Sequence, residues 1–470
     1  MFVNNHEHDH SQNLIILKIR KIYTGKLSPQ AGLALSFFLL IVIGAVLLSL
    51  PVSTTGDRVS LIDAIFTATS ATCVTGLVVV DTGSHWSLFG QIVILVLIQL
   101  GGLGIMTFSS FVIVLFARRL GMWDRGVLEQ SFAGDAKMSP RFLLWMIILL
   151  TLVLESLGAT LLTVRFAQDY PTLQALYLGI FHSISAFCNS GFSLLQNSMM
   201  SYRDDYIINL TVMTLIIFGG LGFWVLYDLK NIFTPKIKSH TISLHTRLVI
   251  TVTLVLVLFG FVALFGLEWH NALVNMPIME KLMAALFQSV TARTAGFNTL
   301  DIAALTNSSI FVLLILMLIG ASPGSCGGGI KTTTFVIVLA MIYTRMKNGK
   351  QVQLCNRGIP DSTVSKAIGI TSLAIVLIVI VCFLLLITEG PAHPDSAERT
   401  LFINVAFEVV SAFGTVGLSM GLTSQLSTIG KILIMSMMYI GRLGPITLVL
   451  ALAGNQAKTI RYAEDNVWVG

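Results

Sequence analysis

The residues best placed to do chemistry in this sequence are glycines. Four short segments, 66–76, 181–191, 286–296 and 407–417, each end on one: Gly76, Gly191, Gly296 and Gly417. Aligned there without gaps, they place a bulky apolar residue ten positions earlier in every copy (Phe66, Phe181, Leu286, Phe407). Ser70, Ser185 and Ser411 stand six before the glycine, and Leu77, Phe192, Phe297 and Leu418 follow it. The glycines are 115, 105 and 121 residues apart, so the segments mark an internal repeat. Glycine takes left-handed backbone angles that turn successive carbonyls to one side. A ring of such carbonyls can replace the hydration shell of a cation. Thr72, Thr75, Ser190, Thr294 and Thr415 supply small hydroxyls that can brace the chain there. No Asp or Glu lies within three residues of these glycines, which argues against an acidic filter or a hard Ca2+ site. One such segment alone reads better as a loop turn; four at a regular period read as a cation pore.

A second stretch interrupts an apolar run: Gly320-Ala321-Ser322-Pro323-Gly324-Ser325-Cys326-Gly327-Gly328-Gly329-Ile330-Lys331, between 310–319 and 335–342. Irregular backbone at membrane depth is tolerated only where protein or water covers it. Its counterparts in the other copies are Gly101-Gly102-Leu103-Gly104, Gly219-Gly220-Leu221-Gly222 and Gly441-Arg442-Leu443-Gly444. Close helix packing on small residues accounts equally well for those three. The 320–331 copy is the one so thoroughly broken. Arg442 lies within the apolar run 432–452, and a charge there is a functional candidate. A structural bond to Glu408 or to loop carbonyls is the alternative. Lys331 is either a gate residue or a charged helix end that snorkels to water. Arg293 is expected to turn away from the axis and brace its segment. Glu155, His182 and Glu408 are expected to be structural polar residues with local partners.

These segments need helices to hold them. The chain has 470 residues, 55% hydrophobic and 11% charged, with mean hydropathy +0.84; soluble domains carry about 25% charged residues. Apolar runs at 31–50, 88–116, 143–164, 207–226, 248–266, 367–387 and 429–453 each suit a span of about 20 residues. The broken run makes eight spanning helices. Shorter apolar stretches at 61–70, 176–186, 282–290 and 401–411 suit re-entrant helices. The predicted fold is an all-α integral membrane protein: four covalently linked helix–pore-loop–helix repeats in pseudo-fourfold arrangement around one pore. Each repeat reads helix, re-entrant helix, extended glycine strand, helix. They cover 31–117, 143–230, 246–345 and 366–453, with tails at 1–30 and 454–470.

Of the 29 basic residues, 20 fall before the first run, after the last, or in alternate loops. The positive-inside rule puts both termini and those loops in the cytoplasm. Such loops suit an acidic partner or anionic lipid. No cleavable signal peptide is expected, since the first apolar run starts about thirty residues in and leads to further spans. The five cysteines form no CxxC pair, so zinc or a disulfide framework is not expected. His6-Glu7-His8-Asp9-His10 could bind a metal but reads better as a solvated tail. His6-Glu7-His8-Asp9-His10 matches HExxH only in the polar stretch ahead of the first apolar run, and Gly320-Ala321-Ser322-Pro323-Gly324 matches GxSxG only inside an apolar run; paired intramembrane carboxylates are absent. Aligned on Lys331, Ile330 occupies the place where a phosphate-binding P-loop requires glycine. No enzyme activity is expected.

The four glycine segments, the 320–334 stretch and Tyr439-Ile440-Gly441-Arg442-Leu443-Gly444-Pro445 resemble the membrane subunit of the Ktr/Trk/HKT superfamily of K+ transporters, in its bacterial KtrB branch. The resemblance covers nearly the whole chain. It implies a filter built from Thr72, Cys73, Val74, Thr75 and Gly76; Cys188, Asn189, Ser190 and Gly191; Thr294, Ala295 and Gly296; and Thr415, Val416 and Gly417, with K+ on backbone carbonyls around the four glycines. Some plant relatives with Na+ selectivity have serine at the first glycine; glycine at all four implies K+. The resemblance also implies a gate of residues 320–331 facing Arg442. It further implies a homodimer with one pore per protomer in the bacterial cytoplasmic (inner) membrane, on a cytosolic ring of KtrA-type nucleotide-binding subunits. Uptake would be Na+-stimulated symport; no cofactor would sit on this chain and no nucleic acid would bind. A secondary transporter of an organic solute, built on broken helices, is the alternative. Four parallel copies, where such transporters have inverted halves, weigh against it.

Overall fold

The computed structural model describes residues 29–56, 58–119, 140–232, 242–390 and 398–445. The expected tails, the histidine-rich stretch, many of the loop basic residues and the end of the fourth repeat (446–453) lie outside these residues.

Four long helices set the frame: α1 (Pro29–Leu48), α4 (Pro140–Phe166), α8 (Leu244–Leu267) and α12 (Asp361–Glu389). Each is long and apolar enough to cross a bilayer. Their outer faces carry exposed Phe38, Val46, Leu254 and Phe383, as lipid contact requires. Each long helix is followed by a short one: α2 (Leu61–Thr72), α5 (Thr172–Phe187), α9 (Ile278–Thr291) and α13 (Glu398–Gly414). The short helices form the interior, and Phe66, Phe181, Phe287 and Phe407 on them are fully buried.

A third kind of helix completes each set, and here the expectation of eight spans meets a difference. The first, α3 (Leu88–Arg119), is continuous. The second is two helices, α6 (Tyr206–Leu221) and α7 (Phe223–Ile232), bent by 99°. The third is α10 (Asn307–Leu318) and α11 (Thr332–Met346) on either side of the 320–331 loop. The fourth, α14 (Thr428–Leu443), stops at Gly444. Among the described residues, four helices are long and apolar enough to span, or five if the bent pair counts as one. Two helices of this series end on glycine: Gly222 and Gly444 take φ of +88° and +84°, left-handed values that end a helix. Loop 320–331 is therefore not the one break in this series.

The sets share a capping device. Glu268, just past α8, accepts hydrogen bonds from Thr306 N (2.9 Å) and Thr306 Oγ1 (2.8 Å) at the start of α10. Glu389, at the end of α12, accepts from Ser427 N (3.0 Å) and Ser427 Oγ (2.6 Å) at the start of α14. Each carboxylate sits 38 residues before its partner, and it meets amide groups a helix start leaves unpaired. Ion pairs join neighbouring sets: Arg203 with Glu280, and Lys431 Nζ with Asp63 Oδ1 at 2.6 Å. Beyond α11, a two-stranded hairpin pairs β1 (Gln353–Leu354) with β2 (Arg357–Gly358).

Candidate functional site

The four short helices end where the glycine segments begin, and the segments fold alike. Each leaves its helix through a short turn and runs past its glycine as irregular backbone, without the strand pairing of a sheet. Val74, Asn189, Thr294 and Thr415, each two before its glycine, have φ of 55°, 60°, 71° and 49°. The glycines follow at 91°, 71°, 79° and 94°. Left-handed backbone costs a non-glycine residue about 1–3 kcal/mol, so four such residues in register mark a constrained site. Thr72 is still the last residue of α2, and Cys73 and Cys188 are C-caps of α2 and α5.

The segments close on one another in chain order. A Cβ on Gly76 would meet the Ser190 carbonyl; on Gly191, the Ala295 carbonyl; on Gly296, the Val416 carbonyl; and on Gly417, the Thr75 carbonyl. Each glycine thus faces the carbonyl just before the next glycine, round a closed ring of four. On one side the glycines open into a cavity of about 590 Å3 that Asp81 and Asp301 also line. Arg293 is not part of this cavity. It lies behind its segment against Ile217, Gly220 and Val257, its Nε without a partner. It turns away as expected but forms no bracing hydrogen bond.

The bracing comes from hydroxyls. Ser70 and Ser411 Oγ accept from Gly76 N and Gly417 N, both at 3.1 Å. Ser185 Oγ donates to Phe192 O at 2.7 Å and lies 2.7 Å from Ser190 Oγ. In the third segment Thr291 Oγ1 donates to Phe297 O at 2.6 Å. Thr291 is five before its glycine, where the others stand six, and the buried Phe287 is nine before, where the others stand ten. A gap-free alignment therefore misplaces the third helix by one residue; the spacing phenylalanine-x3-hydroxyl is what persists. The buried hydroxyls of Thr72 and Thr75 have no partner in the protein.

Loop 320–331 lies on the opposite side of the ring from the cavity. A Cβ on Gly327 would meet Thr294 Oγ1, and Gly328 N donates to Thr415 Oγ1 at 3.0 Å. Cys326 and Cys188 meet at Gly102, where a Cβ would stand 2.7 Å from Cys188 Sγ and 3.8 Å from Cys326 Sγ. Three consecutive loop residues thus lie against the second, third and fourth segments. Gly320 N donates to Ile330 O at 2.9 Å, closing the base of the loop. Ser325 Oγ to Ser322 O (2.6 Å) and Thr332 Oγ1 to Ser322 Oγ (3.2 Å) hold its interior.

The bend at Gly222 makes the rest possible. Breaking a helix frees carbonyls and an amide that hydrocarbon cannot satisfy. Ser322 N donates to Gly220 O, Cys326 N to Gly219 O and Phe223 N to Gly324 O, each at 3.1 Å. The two broken helices satisfy each other, and Pro323 and Gly324 pack directly against Gly222. The first glycines of the small-residue motifs serve close packing: a Cβ on Gly101, Gly219 or Gly441 would strike the carbonyl of Thr72, Phe187 or Phe413.

Two cations hold the loop. Arg442, 3% exposed, donates to Cys326 O through Nη1 and to Gly101 O at 2.7 Å through Nη2. Its partners are backbone carbonyls and not Glu408, which accepts from Ser419 Oγ and from Thr423 Oγ1 (2.8 Å). Lys331 Nζ folds back to Gly327 O at 2.6 Å. His182 contacts Leu178 O at 2.8 Å and Ser193 Oγ at 3.0 Å. Glu155 accepts from Gln99 Nε2 at 3.1 Å, and its backbone carbonyl from Ser183 Oγ at 2.7 Å.

Comparison with known proteins shows what this arrangement is similar to. A family model described as TrkH, cation transport protein, matches residues 30–462. The chain is 40% identical to Ktr system potassium uptake protein B of Bacillus subtilis, over 95% of this chain and 97% of that one. It is 38% identical to the protein of the same name from Vibrio alginolyticus (93% and 94% covered). It is 35% identical to potassium/sodium uptake protein NtpJ of Enterococcus hirae (96% and 99% covered). The crystal structure of the potassium transporter TrkH from Vibrio parahaemolyticus shares the fold, with a TM-score of 0.70 at 21% identity, covering 91% of this chain and 86% of that one.

Proposed function

This chain belongs to the TrkH family of cation transport proteins, and on that premise we propose that it takes up K+ as the ion-translocating subunit of a Ktr-type system. It is a multi-pass helical membrane protein of a transporter family, not an enzyme. The observation that carries the reading is the closed ring in which each glycine faces the carbonyl preceding the next. Carbonyls so arranged can replace the water around K+. The four sets act as four pore repeats, eight crossings in all, counting each interrupted helix as one crossing. The four glycine turns with their flanking residues are the selectivity filter. The wide cavity gathers cations and the aspartates at its wall favour them.

Loop 320–331 is the gate. It lies against three of the four filter segments, opposite the open cavity, and Arg442 and Lys331 place positive charge beside the path, where it repels a cation. A carbonyl-lined ring suits a bare monovalent ion and gives an organic solute no specific contacts, so the solute-transporter reading is not favoured.

The relatives named as parts of a Ktr system support partner subunits; in this reading they are cytosolic, bind the regulatory nucleotide and lie beneath a homodimer in the bacterial inner membrane, with both termini on the cytoplasmic side that the basic residues favour. The potassium/sodium naming of the Enterococcus relative supports a part for Na+ beside K+, which in this reading is stimulation of uptake. The test is Rb+ uptake, with and without Na+, by cells that lack other K+ systems and express this chain. Saturable uptake displaced by K+ is expected; uptake equal to that of the empty vector would overturn the reading.

A further inference from the structure

Cys188 and Cys326 are both fully buried, and neither is in a disulfide. They come from different parts of the site: Cys188 caps α5 three residues before Gly191, and Cys326 belongs to the loop. Their sulfurs flank the same small space. A Cβ on Gly102 would stand 2.7 Å from Cys188 Sγ and 3.8 Å from Cys326 Sγ, so both sulfurs crowd one point on α3 that only glycine leaves open to them. Cys188 Sγ also contacts Gln99 Oε1 at 3.6 Å and Glu155 Oε1 at 3.9 Å. Arg442 is bonded to the carbonyl of Cys326.

We propose that Cys188 and Cys326 form a two-sulfur site for a thiophilic monovalent cation, Cu(I) or Ag(I), that fastens the loop to the second glycine segment. Thiolates select soft ions of this kind. Zinc needs four ligands, and the described residues contain no cluster of three or more His, Cys, Asp or Glu suited to a metal. A two-coordinate ion needs only the pair. Binding displaces both thiol protons to water and leaves a bis-thiolate complex with one net negative charge, which Arg442 offsets; no electron is transferred. Burial keeps bulky thiol reagents out, but a monovalent cation can arrive by the ion path itself. Once bound, it joins loop to filter and stops transport.

The test uses the full-length protein in liposomes, with Ag+ as the probe and Rb+ flux normalised to each variant's own untreated value. The wild type is expected to lose flux at Ag+ concentrations at least tenfold below those that stop Cys188→Ser or Cys326→Ser, and a small dithiol is expected to restore it. Cys355→Ser and Cys382→Ser are expected to keep wild-type sensitivity. If a serine variant does not fold, alanine at the same position, or Cys326→Gly in the glycine-rich loop, takes its place. Independently, X-ray absorption on protein loaded with one Ag+, with Cys73, Cys355 and Cys382 replaced by serine, is expected to show two sulfurs on the metal. Wild-type Ag+ sensitivity in the Cys188 and Cys326 variants, or fewer than two sulfurs, would overturn the site. The flux arm rests on the K+ reading and the absorption arm does not, so untreated protein that carries no Rb+ would count against the former alone.

Discussion

Arg442 and Cys326 are joined by a hydrogen bond from the guanidinium to the loop carbonyl. The other arm of the same guanidinium holds Gly101 O at 2.7 Å on α3. One side chain of the fourth set therefore ties the loop of the third to the third helix of the first. The tie is made to backbone, so it holds the path of the loop whatever side chain Cys326 carries.

Removing that tie is expected to open the path. A hydrogen bond to a charged group contributes about 1.5–3 kcal/mol, and 1.4 kcal/mol is tenfold in an equilibrium. Arg442→Gln is expected to raise basal Rb+ flux in liposomes by about tenfold or more. Arg442→Lys keeps the charge but one tie at most, and should fall between. Flux unchanged in both would show that the loop does not limit transport.

Deleting residues 324–329 removes the contacts against the third and fourth segments and the Gly324 carbonyl that receives Phe223 N. Rb+ flux is expected to rise more than in Arg442→Gln, while the Rb+/Na+ ratio stays near wild type because the ring is untouched. A deletion with wild-type flux would remove the loop as a gate.

Gly296 sits at φ +79° with the Val416 carbonyl where a Cβ would be. Gly296→Ser strains the backbone by about 1–3 kcal/mol and pushes away a carbonyl of the ring. Discrimination of K+ over Na+, read as competition against Rb+ uptake, is expected to fall about tenfold, since strain of that order brackets the 1.4 kcal/mol that makes a decade. Undiminished discrimination would exclude the ring as the selective element.

The site was more legible than the helices that hold it. The four glycines stand out because only glycine offers that backbone freedom at a regular spacing, and their rotation into a ring follows from it. The one-residue offset at Thr291 was hidden because aligning on glycine cannot register a helix that ends one residue closer. The bend at Gly222 was hidden for a different reason. Gly219-Gly220-Leu221-Gly222 reads the same as Gly101-Gly102-Leu103-Gly104, yet α3 runs on through Gly104 while α6 stops. The difference is the neighbour: Ser322 N, Cys326 N and Gly324 O stand ready to pair what the bend exposes. No local pattern encodes a partner about a hundred residues away. The Glu268 and Glu389 caps, by contrast, were readable in principle as an acid 38 residues before a hydroxyl helix start.

Glu268 gives a pH-dependent prediction outside the membrane spans. Burial raises its carboxyl, but hydrogen bonds from Ser309, Thr306 and Asn271 outweigh that and hold it below the ordinary carboxylate value. A depressed native value contributes stability above the unfolded value, near pH 4.3 for free glutamate, and that stability is lost as pH falls through the native one. Thermal unfolding of the detergent-solubilised protein is expected to fall in temperature over that acid range. Glu268→Gln should lower neutral-pH stability by about 1–3 kcal/mol and flatten the acid step. An acid step of full size in the variant would assign it elsewhere.

The most direct test of the ring is a Rb+-soaked crystal of the protein measured at the rubidium edge. Anomalous density is expected on the axis enclosed by Gly76, Gly191, Gly296 and Gly417, between the wide cavity and the loop, and it should vanish on exchange into Na+. Rubidium bound elsewhere with an empty ring, or Na+ holding the same position equally well, would contradict a K+ filter at these four glycines.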